Sequence, residues 1–202
     1  MQKLSCFLFD LDDTLVESDP IRIRALEFSG HPHPKSLTLK EIRYKSPIAL
    51  MKPYGRVNMN QYWKHYLCAA EKSARLTSTK LPTVLSRLKA SGKSLGLVTS
   101  CPEHIARRVL EIIGIIVYFD SCIIGYVTCR KNKAKGISIA LHKLNSPPEV
   151  SAYIGDSLKD YLASLRVGLT FCLASWSRQV ISTELFPKAY RILKNVEDLL
   201  TL

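Results

Sequence analysis

Five short runs, residues 4–9, 95–98, 122–124, 152–154 and 170–174, are apolar at nearly every position. A strand with one wet face would alternate polar and apolar residues. Runs like these suit strands buried on both faces, as in a parallel sheet. Helical patterns separate them. Pro82 opens one that turns Val84, Leu85 and Leu88 inward and stops at Gly92. Pro102 opens the next, with Ile105, Val109, Ile112 and Ile113 inward and Gly114 at its end. Ile137, Ala140, Leu141 and Leu144 fall at helical spacing, and Leu158, Tyr161, Leu162 and Leu165 repeat it before Gly168. This alternation predicts an α/β fold: a Rossmann-like, three-layer core with a parallel sheet between helices. In such a sheet a ligand sits beyond the carboxyl ends of the strands.

Polar residues with a common chemistry follow those strand ends. Asp10 and Asp12 come just after the first run, two residues apart, so that both face one way on extended chain. Two carboxylates there form an acidic pocket that calls for a cation, and Mg2+ suits carboxylate and phosphate oxygens together. A carboxylate can attack phosphorus, and a second one can act as general acid and then base. Thr99 and Ser100 end the second run, where a hydroxyl and backbone N–H groups can hold phosphate oxygens or simply cap a helix. Gly155 permits a tight turn that leaves Asp156 at the end of the fourth run, and Asp160 lies one helical turn on. Between them, the segment 129–136 carries Lys131, Lys133 and Lys135, and on charge alone any of the three can neutralise a phosphoryl group.

Residues 16–80 break the alternation, with Pro20, Pro32, Pro34, Pro47 and Pro53 and an aromatic-rich stretch at 62–67. This predicts a small, mainly helical insert at 16–80 in a core made of 1–15 and 81–202. Met51, Met59, Tyr62, Trp63 and Tyr66 read as the insert's own core. His31-Pro-His33-Pro reads as an extended loop. The insert holds twelve Lys and Arg against five Asp and Glu, so it carries +7 of the chain's net +12. Such a charge favours anionic partners. Cys6, Cys122 and Cys172 sit in strand-like runs, and no Cys-x-x-Cys pair occurs among the six cysteines, which predicts reduced thiols in the cytoplasm. No uninterrupted apolar run approaches the roughly 20 residues of a membrane helix, so no membrane partner is expected.

In this order, the blocks resemble the haloacid dehalogenase superfamily of phosphohydrolases, and most closely its phosphoglycolate-phosphatase-like members with a helical cap after the first motif. The resemblance implies that Asp10 is the nucleophile and Asp12 the acid/base, and that Asp12 also binds metal through its carbonyl. It implies that Thr14 supports the turn, Thr99 and Ser100 bind phosphate, and Asp10, Asp12 and Asp156 hold Mg2+ with Asp160 in support. The family's lysine precedes a helix ending in Ala-Leu-x-x-Leu. Ala140-Leu141-His-Lys-Leu144 sets that register and points to Lys131 first and Lys133 second, with Asn132 where members often carry Pro.

The activity implied is a magnesium-dependent phosphatase acting on a small phosphorylated substrate through an aspartyl-phosphate, in a monomer or homodimer. The alternatives are a nucleic-acid end-processing phosphatase or nucleic-acid-binding protein, a sugar-phosphate mutase, and a non-catalytic relative. Asp12 speaks against a dehalogenase, and Asp13-Thr14 weakly against a mutase. In this family the cap selects the substrate, and the candidates here are Arg22, Arg24, Lys52, Tyr54, Arg56, Lys64 and His65.

Overall fold

The structure, a computed structural model, describes residues 3–38, 41–42, 45–55, 58–119, 121–129, 132–176 and 191–202. Among them, six strands form one parallel sheet: β1 Cys6–Phe9, β2 Ser94–Val98, β3 Ile123–Ile124, β4 Ser151–Gly155, β5 Thr170–Ala174 and β6 Arg191–Leu193. Their order is β3-β2-β1-β4-β5-β6. The chain therefore steps from β1 one way to β2 and β3, then returns to β4 on the other side of β1. The point where that direction reverses, between β1 and β4, is where a parallel sheet opens a crevice for ligand.

Among the described residues the insert includes the helices α1 Asp19–Phe28, α2 Pro47–Met51 and α3 Met59–Ser73. Those of the core are α4 Leu81–Ala90, α5 Glu103–Ile112, α6 Tyr126–Cys129, α7 Lys133–Lys143 and α8 Leu158–Val167. Side chains alternate along β1. Cys6 and Leu8 join Val98, Tyr153, Ile137, Ala140 and Tyr161 in the cluster under α7 and α8. Phe9 points to the opposite face, where its ring meets Phe119 edge-on at 5.7 Å.

Two expectations differ from the structure. Strand β6, at the edge opposite β3, has no apolar run to announce it: Arg191 is half-buried and Ile192 is 40% exposed. In α8, Leu162 and Leu165 face solvent, while Asp160, Tyr161, Ala163 and Ser164 are buried. The helix is turned so that Asp160, held in a capping box with Ser157, comes under the strand ends. Spacing of leucines alone gives no sign of that rotation.

The chain divides into two compact units, Met1–Val16 with Leu76–Leu202, and Glu17–Arg75. The return segment after Arg75 joins the first unit because it is bonded to the turn after β1. Leu76 bridges Val16 antiparallel, Thr77 N donates to Leu15 O at 3.1 Å, and Thr77 Oγ1 donates to Thr14 O at 2.7 Å. Within the second unit α1 packs along α3. Tyr62, Tyr66 and Met51 are buried there, and Trp63 meets both tyrosine rings edge-on at 5.1 and 5.4 Å. The His31 ring packs on Tyr54, and its Nδ1 accepts from His33 N at 3.2 Å, closing a local turn. Among the described residues no helix is long and apolar enough to cross a membrane. All six cysteines are free, and only Cys68 is exposed.

Candidate active site

Strand register assembles the site. Phe9 pairs with Leu97 on one side and Ile154 on the other, and Asp10 N donates to Ile154 O at 2.9 Å. Asp10 therefore leaves the sheet level with Val98 and Gly155, and Thr99 and Asp156 follow one residue further on. The chain then folds back in a tight turn, with Leu15 N and Val16 N both donating to Leu11 O. Asp13 takes a left-handed φ of 58° there, a conformation Asp tolerates better than most residues, and its N–H donates to Val16 O at 2.8 Å. Asp12 is half-exposed on this turn. Thr14 is buried, and its carbonyl accepts from Thr77 Oγ1 and, at 3.1 Å, from Trp176 Nε1. Neither Thr77 nor Trp176 stood out in the sequence, since a donor to a backbone carbonyl leaves no pattern.

Lys133 opens α7. Asn132 caps that helix by accepting from Lys135 N, which fixes where the lysine starts. Its Nζ lies 2.9 Å from Asp10 Oδ1 and 2.5 Å from Asp160 Oδ1. A Cβ at position 136 would lie 2.3 Å from Cys129 Sγ and 2.9 Å from Val98 Cγ1, so Gly136 lets the start of α7 approach β2 this closely. Lys131 lies outside the described residues. Thr99 is buried and Ser100 exposed. Thr99 Oγ1 accepts from Cys101 N at 3.1 Å, which leaves the hydroxyl hydrogen free to donate.

Asp160 Oδ2 accepts from Ser157 N and Ser157 Oγ, so this carboxylate caps α8 and pairs with Lys133 at once. Gly155 is required beside it, because a Cβ there would fall 2.7 Å from the Asp160 carboxyl carbon. Asp10, Asp156 and Asp160 each place a carboxylate oxygen within 4.8 Å of the others. Loss of hydration, more than the attraction of Lys133 offsets, raises Asp10 to about 7, with Asp160 and Asp12 adding to the rise. Burial, then Asp160, Asp10 and Asp13, pushes Asp156 well above the usual carboxylate range. Lys133 loses hydration too, but the Asp10 and Asp160 carboxylates win and hold it charged. Three hard oxygen donors crowded about one ammonium are held from ionising by burial and by one another, and that donor set, once ionised, fits a divalent cation.

The chain also resembles known proteins along most of its length. The profile of the haloacid dehalogenase-like hydrolase family matches residues 7–174, and the chain belongs to that family. The chain is 25% identical over 204 residues to the pyrophosphatase PpaX of Oceanobacillus iheyensis, covering 96% of this chain and 94% of that one. It is 27% identical over 195 residues to the phosphoglycolate phosphatase of Aquifex aeolicus, covering 88% of each. A haloacid dehalogenase-like hydrolase from Streptococcus pneumoniae superposes with a TM-score of 0.79 at 22% identity, over 98% of this chain and 97% of that one.

Proposed function

We propose that this hydrolase is a magnesium-dependent phosphatase working through an aspartyl-phosphate on Asp10, on small phosphorylated compounds. The observation that carries the reading is the pairing of Asp10 Oδ1 with Lys133 beside Asp156 and Asp160. Lys133 engages one oxygen of Asp10 and leaves the other for attack on phosphorus. Thr99 Oγ1 donates to a phosphoryl oxygen, and Lys133 offsets the charge that builds there. As the bond to phosphorus forms, the bond to the leaving oxygen breaks and Asp12 supplies the proton. Asp12 then takes a proton from water, which attacks the phosphoryl group and frees Asp10 and inorganic phosphate. The Asp10 and Asp156 carboxylates and the Asp12 carbonyl would hold Mg2+, and Asp160, committed to Lys133 and Ser157, supports. When bound, the metal supplies charge neutralisation at the phosphate.

The relatives' names direct the choice of substrate toward compounds with a second anionic group, pyrophosphate and phosphoglycolate. The basic segment 16–80 supports that choice and serves as the substrate-selecting cap in this reading. Free, mostly buried thiols favour a reducing compartment such as the cytoplasm. The test is phosphate release from pyrophosphate, phosphoglycolate, sugar phosphates, nucleotides and oligonucleotide 5′ ends, with Mg2+ and with EDTA. Release from the small anions that stops with EDTA is the expected result. Release from oligonucleotide ends alone would replace the substrate class, and none from any compound would sink the reading.

The raised carboxyls also predict a pH-dependent response to metal. In the metal-free fold Asp10 holds its proton up to about 7, whereas the unfolded chain releases it near 3.8. The folded state therefore binds more protons across that window, and its stability falls as pH rises through it. A bound cation holds the carboxylates ionised and removes the loss. Thermal melts should show Mg2+ raising Tm by more at about pH 7 than at about pH 5. An equal shift at both would contradict the site.

A further inference from the structure

We propose that Tyr153 is a positioning residue for this phosphoryl transfer: its ring is the floor under the Lys133 ammonium, and its hydroxyl ties down the strand end that carries Thr99. The inference rests on the phosphatase reading above. Tyr153 lies in the middle of β4, paired with Leu8 of β1, and is fully buried. Strand β1 separates β4 from β2. The side chain nevertheless spans β1, and its hydroxyl donates to Val98 O of β2 at 2.6 Å. Val98 directly precedes Thr99. Lys133 Nζ stands 5.6 Å from the centre of the Tyr153 ring while it contacts Asp10 and Asp160.

One side chain thus touches Lys133 and the backbone support of Thr99, two groups that must meet one phosphate. A phenylalanine would fill the same space, and a buried phenol without a partner would be a cost. Here the hydroxyl has a partner that needs it, a strand-end carbonyl next to the residue that faces phosphate. The face of the ring attracts the ammonium electrostatically and limits where it can settle. Fixing both donors before the substrate arrives is what pre-organises charge stabilisation.

The test compares Tyr153→Phe, which keeps the ring and loses the tie, with Tyr153→Leu, which loses both. With p-nitrophenyl phosphate and saturating Mg2+, Y153F should lower kcat about fivefold and Y153L about 50-fold, each with KM within about twofold. Binding of the ground state changes little because the lost placement matters most in the transition state. In a Lys133→Met background, Tyr153→Leu should lower kcat much less than in the wild type. An equal loss in both backgrounds, or an unchanged kcat in the single variants, overturns the proposal. If Y153L does not fold, Y153F decides alone by the same kcat criterion. If the wild type itself shows no turnover, the phosphatase reading has failed, and crystal structures decide this one. Displacement of Lys133 Nζ from Asp10 in Y153L, or in Y153F a shift of the Thr99 backbone, supports the placement role; both unmoved overturns it.

Discussion

Asp10→Asn should lower phosphate release by at least about a thousandfold, the scale on which loss of a single nucleophile registers. The substitution is nearly isosteric. The amide oxygen can still accept from Lys133, and Asp10 N still donates to Ile154 O, so the strand end keeps its place. What goes is the oxygen able to form an acyl phosphate. The fold should not suffer. Asp10 is 7% exposed, and dehydration already raises its carboxyl to about 7. Asn carries no charge to desolvate, so the metal-free variant should melt no lower than the wild type at about pH 7, and its melting point should respond less to Mg2+. Release assays and melts on the two proteins check both halves. An unchanged rate would refute the mechanism; a lost fold would show that Asp10 is mainly structural.

The parts legible in the sequence are those set by chain-local rules. The four inner strands and the edge strand β3, whose two isoleucines are also buried, could be read because such burial demands an unbroken apolar run, and strand ends follow from where each run stops. Asp10, Thr99 and Asp156 were legible as neighbours for the same reason: each is the first polar side chain past such an end. The remaining features depend on which way an element turns about its axis. Leucine spacing in α8 pointed Leu162 and Leu165 inward, yet the helix obeys Asp160, whose pairing with Lys133 spans 27 residues of sequence and leaves no local trace. Tyr153 shows the limit in another form. In the sequence it is one more large residue in a buried strand, and only the position of Val98 O gives its hydroxyl a purpose. Strand β6 was illegible because, unlike β3 at the opposite edge, it is partly exposed and needs no apolar run.

The choice between lysines carries the second large effect. Family register pointed to Lys131 before Lys133, and charge could not separate them. The geometry favours Lys133, whose Nζ reaches both Asp10 and Asp160 with a side chain only 14% exposed. Lys133→Met keeps the length and removes the charge, so kcat should fall about 100- to 1,000-fold, as when one transition-state donor is lost. Stability should fall as well, because Asp10 and Asp160 would share a buried site without their cation, and breaking such a pair costs about 3–5 kcal/mol before any partial solvation is discounted. Removing the ammonium drives Asp10 further upward, toward its protonated and non-nucleophilic form, so the destabilisation should shrink as pH drops and Asp10 protonates. Mg2+ should recover part of the melting point but little of the rate, since it supplies charge without the placement of an ammonium on Asp10 Oδ1. If Lys133 carries the role, Lys131→Met, measured beside it, should leave kcat within about threefold. The reverse pattern, a large loss at Lys131 and a small one at Lys133, would transfer the role to Lys131 and reduce Lys133 to a counter-ion that holds α7 against α8.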